Sequence, residues 1–121
     1  MRADPYSLRV RELFAHPAHA GPLDGARTVR LSGQDVRIEL AAVVRGQIVD
    51  MLRFRAYGCP HVVAVLEAAC ACLEGRGIAE FLEFRVAGLM EELAVPVEKT
   101  GRILVVEDAL RSLGQALCDE T

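Results

Sequence analysis

Hydrophobic and polar positions follow two rhythms along this chain, and the change falls at Pro60. Before it, three segments alternate. "ARTVRL" sets Val29 and Leu31 against Thr28 and Arg30, and "DVRIELAAVV" sets Val36, Ile38, Leu40 and Ala42 against Arg37 and Glu39. After the turn "RGQ", "IVDMLRFRAY" sets Leu52, Phe54 and Ala56 against Arg53, Arg55 and Tyr57. A period of two describes strands with one buried and one wet face, and the short turns between them predict antiparallel hairpins. From Pro60 onward the period is helical. "PHVVAVLEAACACLEG" reads as a largely apolar helix opened by proline and closed by Gly75. "GIAEFLEF" and "VAGLMEELA" predict two shorter helices, and "RILVVEDALRSLGQALC" predicts the last.

Upstream of the strands, Leu8, Val10, Leu13 and Phe14 in "PYSLRVRELFA" have the spacing of a short amphipathic helix. "HPAHAGPLDG" follows, with two prolines and two glycines, and predicts a loop. The order is therefore that of an α+β fold: an N-terminal helix, a three-stranded antiparallel sheet, and a C-terminal helical half packed on one face. At 121 residues, with no repeat or linker, residues 1–121 are expected to form a single domain.

Composition narrows the function. A formal net charge of −3 and a pI near 5.6 speak against nucleic acid, which is usually bound through a basic patch. Two tyrosines, four phenylalanines and no tryptophan leave little for base stacking. The apolar runs are much shorter than the roughly 20 residues needed to span a bilayer. "MRADPYSLRVRELF" lacks the apolar core of a secretory signal, so a cytoplasmic location with no membrane contact is expected. In that compartment the four cysteines read as thiols, metal ligands or core residues before disulfides.

Cys59 stands out among them. It precedes Pro60 at a helix start, where unsatisfied N–H groups and the helix dipole favour thiolate, and Gly58 permits a tight turn beside it. Position alone leaves two readings open, a functional thiol and a small buried residue. Cys70 and Cys72 lie two apart on a helix and point roughly 200° from one another, so they cannot grip one ion. Core packing among small residues accounts for them, and Cys118 near the C-terminal end carries no chemistry. His61, in the same turn as Cys59, reads either as a partly exposed polar residue or as an aid to metal binding or proton transfer. His16 and His19 resemble a metal pair without further local ligands. No GxSxG, phosphate loop or HExxH is present. Glu91–Glu92 and Glu107–Asp108 read as solvated helix faces. The balance of these signals is against an enzyme, with Cys59 the one residue that would be catalytic if sulfur were transferred.

Several motifs, in order, carry a family resemblance. "HPAHAG" keeps Pro17 and Gly21 of an N-P-x-N-x-G loop, with His16 and His19 replacing the asparagines; "GQDV" resembles C-G-D-V; Tyr57–Gly58–Cys59 stands as Y-G-C. Gly75–Arg76 matches a G-K/R after the long helix, "ELAVPVEKTGR" is similar to E-L-x-L-P-P-V-K-x-H-C, and "EDAL" follows in place. From about Tyr6 to Leu117 the chain resembles the IscU/NifU N-terminal type of iron–sulfur cluster assembly scaffold. That family holds a nascent iron–sulfur cluster, or zinc, with three cysteines aided by an aspartate or a histidine. It works with a cysteine desulfurase and a chaperone pair among other cluster-assembly proteins. Carried over by position, the first cysteine falls on Gly33, the third on Arg102, and the histidine before it on Gly101. Cys59 and Asp35 remain.

One thiolate and one carboxylate are too few where clusters take about four ligands and zinc three or four. The resemblance therefore implies a scaffold-like accessory or partner-binding protein with no stable cluster of its own. Arg102 is expected to pair with Asp35 and plug the vacated site, or alternatively to lower the pKa of Cys59. Two other readings stand beside it: a Cys59-dependent persulfide transfer protein, and a mononuclear zinc or iron site built from Asp35, Cys59 and His61 with His16 or His19. The chaperone segment is reduced to "VPVEK", keeping Pro96 and Lys99.

Overall fold

The computed structural model describes residues 6–120; the "MRADP" stretch and Thr121 lie outside the described residues. Helix α1 (Leu8–Ala15) opens the chain. Strands β1 (Arg27–Gly33), β2 (Val36–Arg45) and β3 (Ile48–Tyr57) form one antiparallel sheet in the order β1-β2-β3. Helices α2 (Pro60–Leu73), α3 (Ile78–Leu82) and α4 (Ala87–Glu92) follow, then a 3-10 turn (Val97–Lys99) and α5 (Thr100–Glu120). The α+β order read from the periodicity is the order observed.

Strand register explains the two-faced sheet. Val29 pairs with Leu40 and Leu40 with Phe54; Leu31 pairs with Ile38 and Ile38 with Ala56. These rows face the helices, and Ile38, Leu40, Leu52 and Phe54 are buried. A one-residue slip would turn every one of them to water, so burial itself pins the register. Helix α2 lacks a polar stripe because it is enclosed over most of its length, from His61 to Cys70. Val62, Ala64, Val65, Leu66, Ala69 and Cys70 are fully buried, and each large aliphatic side chain among them contributes roughly 1.5–3 kcal/mol by leaving water.

Smaller devices hold the ends. Ser7 caps α1, its hydroxyl accepting from the Val10 N–H at 3.2 Å and donating to the Leu93 carbonyl at 3.3 Å. The outer edge of β3 is covered rather than left open, since Gly21 and Gly75 donate to Phe54 and Val49, and Phe54 donates to His19. Gly114 is where α5 meets α3: a Cβ there would lie 2.8 Å from that of Phe81.

Several helix boundaries differ from the expected ones. α5 starts at Thr100, two residues before the periodic segment, so Gly101 and Arg102 are in its first turn. α4 stops at Glu92, and Ala94 turns the chain with φ +53° while its N–H bonds back to Glu91. Glu107 is not simply part of a solvated face; it accepts from the Val86 N–H at 3.0 Å and ties α5 to the entry of α4. Cys72, expected in the core, is exposed, whereas Cys70 is buried. Two residues apart on an enclosed helix, they fall on opposite sides, and just one side near the helix end is covered.

Candidate functional site

The site forms where three chain reversals meet at one end of the sheet. The first is the β1–β2 hairpin, a two-residue turn with Gly33 paired to Val36 and positive φ at Gln34 (+51°) and Asp35 (+61°). Two consecutive left-handed residues make the turn that best matches the sheet twist, at a cost of about 1–2 kcal/mol for each side-chain-bearing residue placed there. Asp35 is thereby held at the tip, exposed.

The second reversal carries Cys59. It is the N-cap of α2, with extended backbone (φ −73°, ψ 166°) and Pro60 as the first helical residue. Gly58 makes a close approach: a Cβ there would stand 3.1 Å from the Val62 side chain, which would have to give by a few tenths of an ångström. The sulfur is half-buried. Burial alone would raise its pKa, but the N–H groups of Val62 and His61, the Lys99 ammonium and the Arg102 guanidinium together outweigh it and hold the thiol below its ordinary value. The sulfur makes no capping hydrogen bond of ordinary length, so the N–H groups act on it as nearby dipoles.

The third reversal is the 3-10 turn into α5, which delivers Lys99 and Arg102. It packs directly on the hairpin: a Cβ at Gly33 would lie 3.7 Å from Val105, and one at Gly101 would lie 3.5 Å from the Gln34 amide oxygen. Gly33, Asp35, Gly101, Arg102 and Cys59 are thus brought to one end of the molecule. A hollow of about 340 Å³ beside them is lined by Ser32, Gly33, Asp35, Val36, Arg37 and Tyr57.

The expected Asp35–Arg102 pair is not formed. Among the described residues the arginine ion pairs lie elsewhere, and Arg102 acts on Cys59 instead. The reason is placement: Asp35 is an exposed turn residue, while Arg102 is half-buried on the first turn of α5. His61 is likewise not partly exposed. It is 1% exposed, neither ring nitrogen has a hydrogen-bond partner among the described residues, and its ring packs on Tyr6 with centroids 4.7 Å apart. Burial first, then the nearby Lys99, lowers its pKa, with Glu98 opposing, so the imidazole is neutral at neutral pH.

His16 and His19 do not form a metal pair. His16 is exposed at the C-terminal end of α1. His19 is bonded through Nδ1 to Glu67 at 2.6 Å and through Nε2 to Glu74 at 3.2 Å, while its N–H donates to Glu67 at 2.7 Å. Glu74 also accepts from the Leu52 N–H and from Arg53, each at 2.8 Å. Burial would raise the Glu74 pKa, but these donors and His19 hold it below the usual carboxylate value. This network clamps the "HPAHAG" loop to α2 and β3 and was not legible as such. Its signal was present: Glu67 stands alone in an apolar helix, and a buried carboxylate requires partners. Cys70 lies close by, its thiol pushed far up by burial and by Glu67 and Glu74, and it is inert.

Asp35 at the hairpin tip and Cys59 at the α2 N-terminus are the two family-type donors at this end. Among the described residues no group of three or more His, Cys, Asp or Glu side chains is placed to hold an ion. The Arg102 guanidinium and the Lys99 ammonium both act on the Cys59 thiol, and positive charge there opposes a cation.

The sequence model of the NifU-like N terminal domain matches residues 5–116. The chain belongs to the NifU-like N-terminal domain family. It is 26% identical over 115 residues to the iron–sulfur cluster assembly scaffold protein IscU of Azotobacter vinelandii, covering 88% of this chain and 89% of that protein. It is 23% identical to the scaffold protein IscU of Escherichia coli strain K12, over the same shares of the two chains. A NifU-like N-terminal structure from Brucella abortus superimposes with a TM-score of 0.76 at 12% identity, covering 95% of each chain. The putative SUF-system scaffold FiSufU of Fervidobacterium islandicum AW-1 gives 0.72 at 14% identity, covering 88% of this chain and 93% of that one. At such identities these two structures speak to the fold. The family and the fold class are those the motifs and the periodicity implied. No helix among the described residues is long and apolar enough to cross a membrane.

Proposed function

We propose that this member of the family serves iron–sulfur cluster assembly as a single-domain, cytoplasmic, scaffold-shaped accessory protein that binds assembly partners and holds no stable cluster itself. One observation carries the reading: the Arg102 guanidinium acts on Cys59, and by the motif resemblance Arg102 takes the position of the family's third cysteine. Clusters take about four ligands, mostly thiolates, and Asp35 with Cys59 supply two. A cysteine desulfurase or another cluster-assembly protein is the expected partner, by family resemblance. Val97, 83% exposed beside Pro96 in "VPVEK", offers such a partner an apolar contact. Anaerobic incubation of the purified protein with iron and sulfide, followed by desalting, is expected to leave it colourless. A stoichiometric cluster spectrum that disappears in Cys59→Ser would overturn the reading.

The lowered pKa of Cys59 favours a second reading, in which the thiolate accepts sulfane sulfur from a protein persulfide. Cys59 sulfur would bond the outer sulfur of the donor, the donor's S–S bond would break, and the donor cysteine would leave as thiolate. Mass spectrometry after mixing with a persulfidated donor would show a gain of one sulfur, absent in Cys59→Ser.

A further inference from the structure

The sheet face opposite the helices carries a patch of unspent positive charge. Cross-strand register places Arg30 opposite Glu39 and Glu39 opposite Arg55 in one row, and Ser32, Arg37 and Tyr57 in the next. Arg30 is held by Glu39 at 3.2 Å. Arg37 and Arg55 are exposed and belong to no ion pair among the described residues. Tyr57 is 72% exposed between them and the Cys59 turn. Arg30, Arg37, Glu39, Arg55 and Tyr57 line a groove of about 370 Å³. Arg37 and Tyr57 also line the hollow that contains Gly33 and Asp35, so groove and hollow adjoin.

The rest of the molecule has the opposite sign. Residues 26–57 contain six arginines against three acidic residues, whereas residues 60–120 contain five basic against eleven acidic. A net charge of −3 therefore conceals a polarised molecule with its positive end on the sheet.

We infer that this outer sheet face is a docking surface for an acidic segment of a protein partner, laid across Arg37 and Arg55 beside Arg30 and running past Tyr57 toward the Cys59 turn. Guanidinium groups match carboxylates in bidentate pairs, and an exposed tyrosine flanked by arginine is the composition of a protein interface. Nucleic acid fits less well, because its affinity grows with each phosphate neutralised and this row is interrupted by Glu39. Anionic lipid is recruited by clusters of about 4–8 basic residues, more than the face offers. The acidic helical half would also repel a long polyanion. None of this depends on whether Cys59 handles sulfur or the chain holds metal.

The test uses the whole chain, labelled with ¹⁵N, titrated with a short synthetic glutamate-rich peptide, a DNA duplex and phosphatidylserine vesicles at equal ionic strength. The peptide is expected to shift the backbone amides of Arg30, Arg37, Arg55 and Tyr57 and the side-chain Nε–H signals of the three arginines. Arg37→Glu with Arg55→Glu should weaken the peptide by at least about tenfold, as reversing charges at a complementary interface does. Arg37→Gln with Arg55→Gln should weaken it less, and Arg85→Glu, exposed on the helical half, should not. Shifts confined to other surfaces, equal loss in Arg85→Glu, or tighter binding of duplex or vesicles would each overturn the assignment. A folded charge-reversed variant that binds the peptide as well as the parent would do the same.

Discussion

Supplying the donors that the family resemblance assigns to these positions is the sharpest perturbation available: Gly33→Cys, Gly101→His and Arg102→Cys made together. The backbone has room for them. A Cβ at position 33 meets Val105 at 3.7 Å and one at 101 meets the flexible end of Gln34 at 3.5 Å, both ordinary contacts. The metal-free variant should therefore melt within a few degrees of the parent. With Asp35 and Cys59 retained, three thiols, a carboxylate and an imidazole would be offered where two donors stand now, enough for tetrahedral zinc. At free zinc a hundredfold above the dissociation constant, linkage predicts about 2.7 kcal/mol of added stability. For a domain of this size that is a rise of roughly 10 °C in Tm. Differential scanning calorimetry with buffered zinc measures it, and metal analysis after desalting gives the stoichiometry. The parent is expected to shift by less than about 2 °C on the same scale. An equal rise in the parent would refute the argument from donor number, and a folded triple variant that takes up no zinc would refute the argument that the frame survives.

Other consequences are open to direct measurement. Cys59 should be alkylated by iodoacetamide below the ordinary thiol range near about 8.5, and Arg102→Gln should move the profile back toward that range, whereas Cys70 should not react in the folded protein. The folded-state pKa of Glu74 is lowered, so its stabilisation is present above the unfolded value of about 4.3 and is lost as pH falls through the folded one. Urea melts of Glu74→Gln should accordingly lie below the parent by roughly 1–2 kcal/mol at neutral pH and converge with it in strong acid; a gap independent of pH would refute the charge argument. Ala94→Gly should stabilise by about 0.5–1 kcal/mol because φ is +53° there, read from the same melts, and no gain would mean that the turn tolerates its methyl group. Gly114→Ala should lose about 1–3 kcal/mol, since its Cβ would collide with that of Phe81, and an unchanged melting curve would show that α3 moves aside at no cost.

The amino-acid sequence by itself determined the alternating strands, the enclosed helix and the family motifs, because these depend on local periods and on residues close together in the chain. Val29, Ile38 and Phe54 announced the buried face of the sheet, and Tyr57–Gly58–Cys59 announced the thiol. Tertiary structure alone decided what those residues meet. It brought Arg102 and Lys99 near enough to act on Cys59 and left Asp35 unpaired with Arg102, packed His61 on Tyr6, and spent His19 on Glu67 and Glu74. It also gathered Arg30, Arg37 and Arg55 from three strands onto one face. The physical reason is range: hydrophobic periodicity is set by neighbours a few residues away, whereas burial and electrostatic partners are set by elements that meet only when the whole chain has closed.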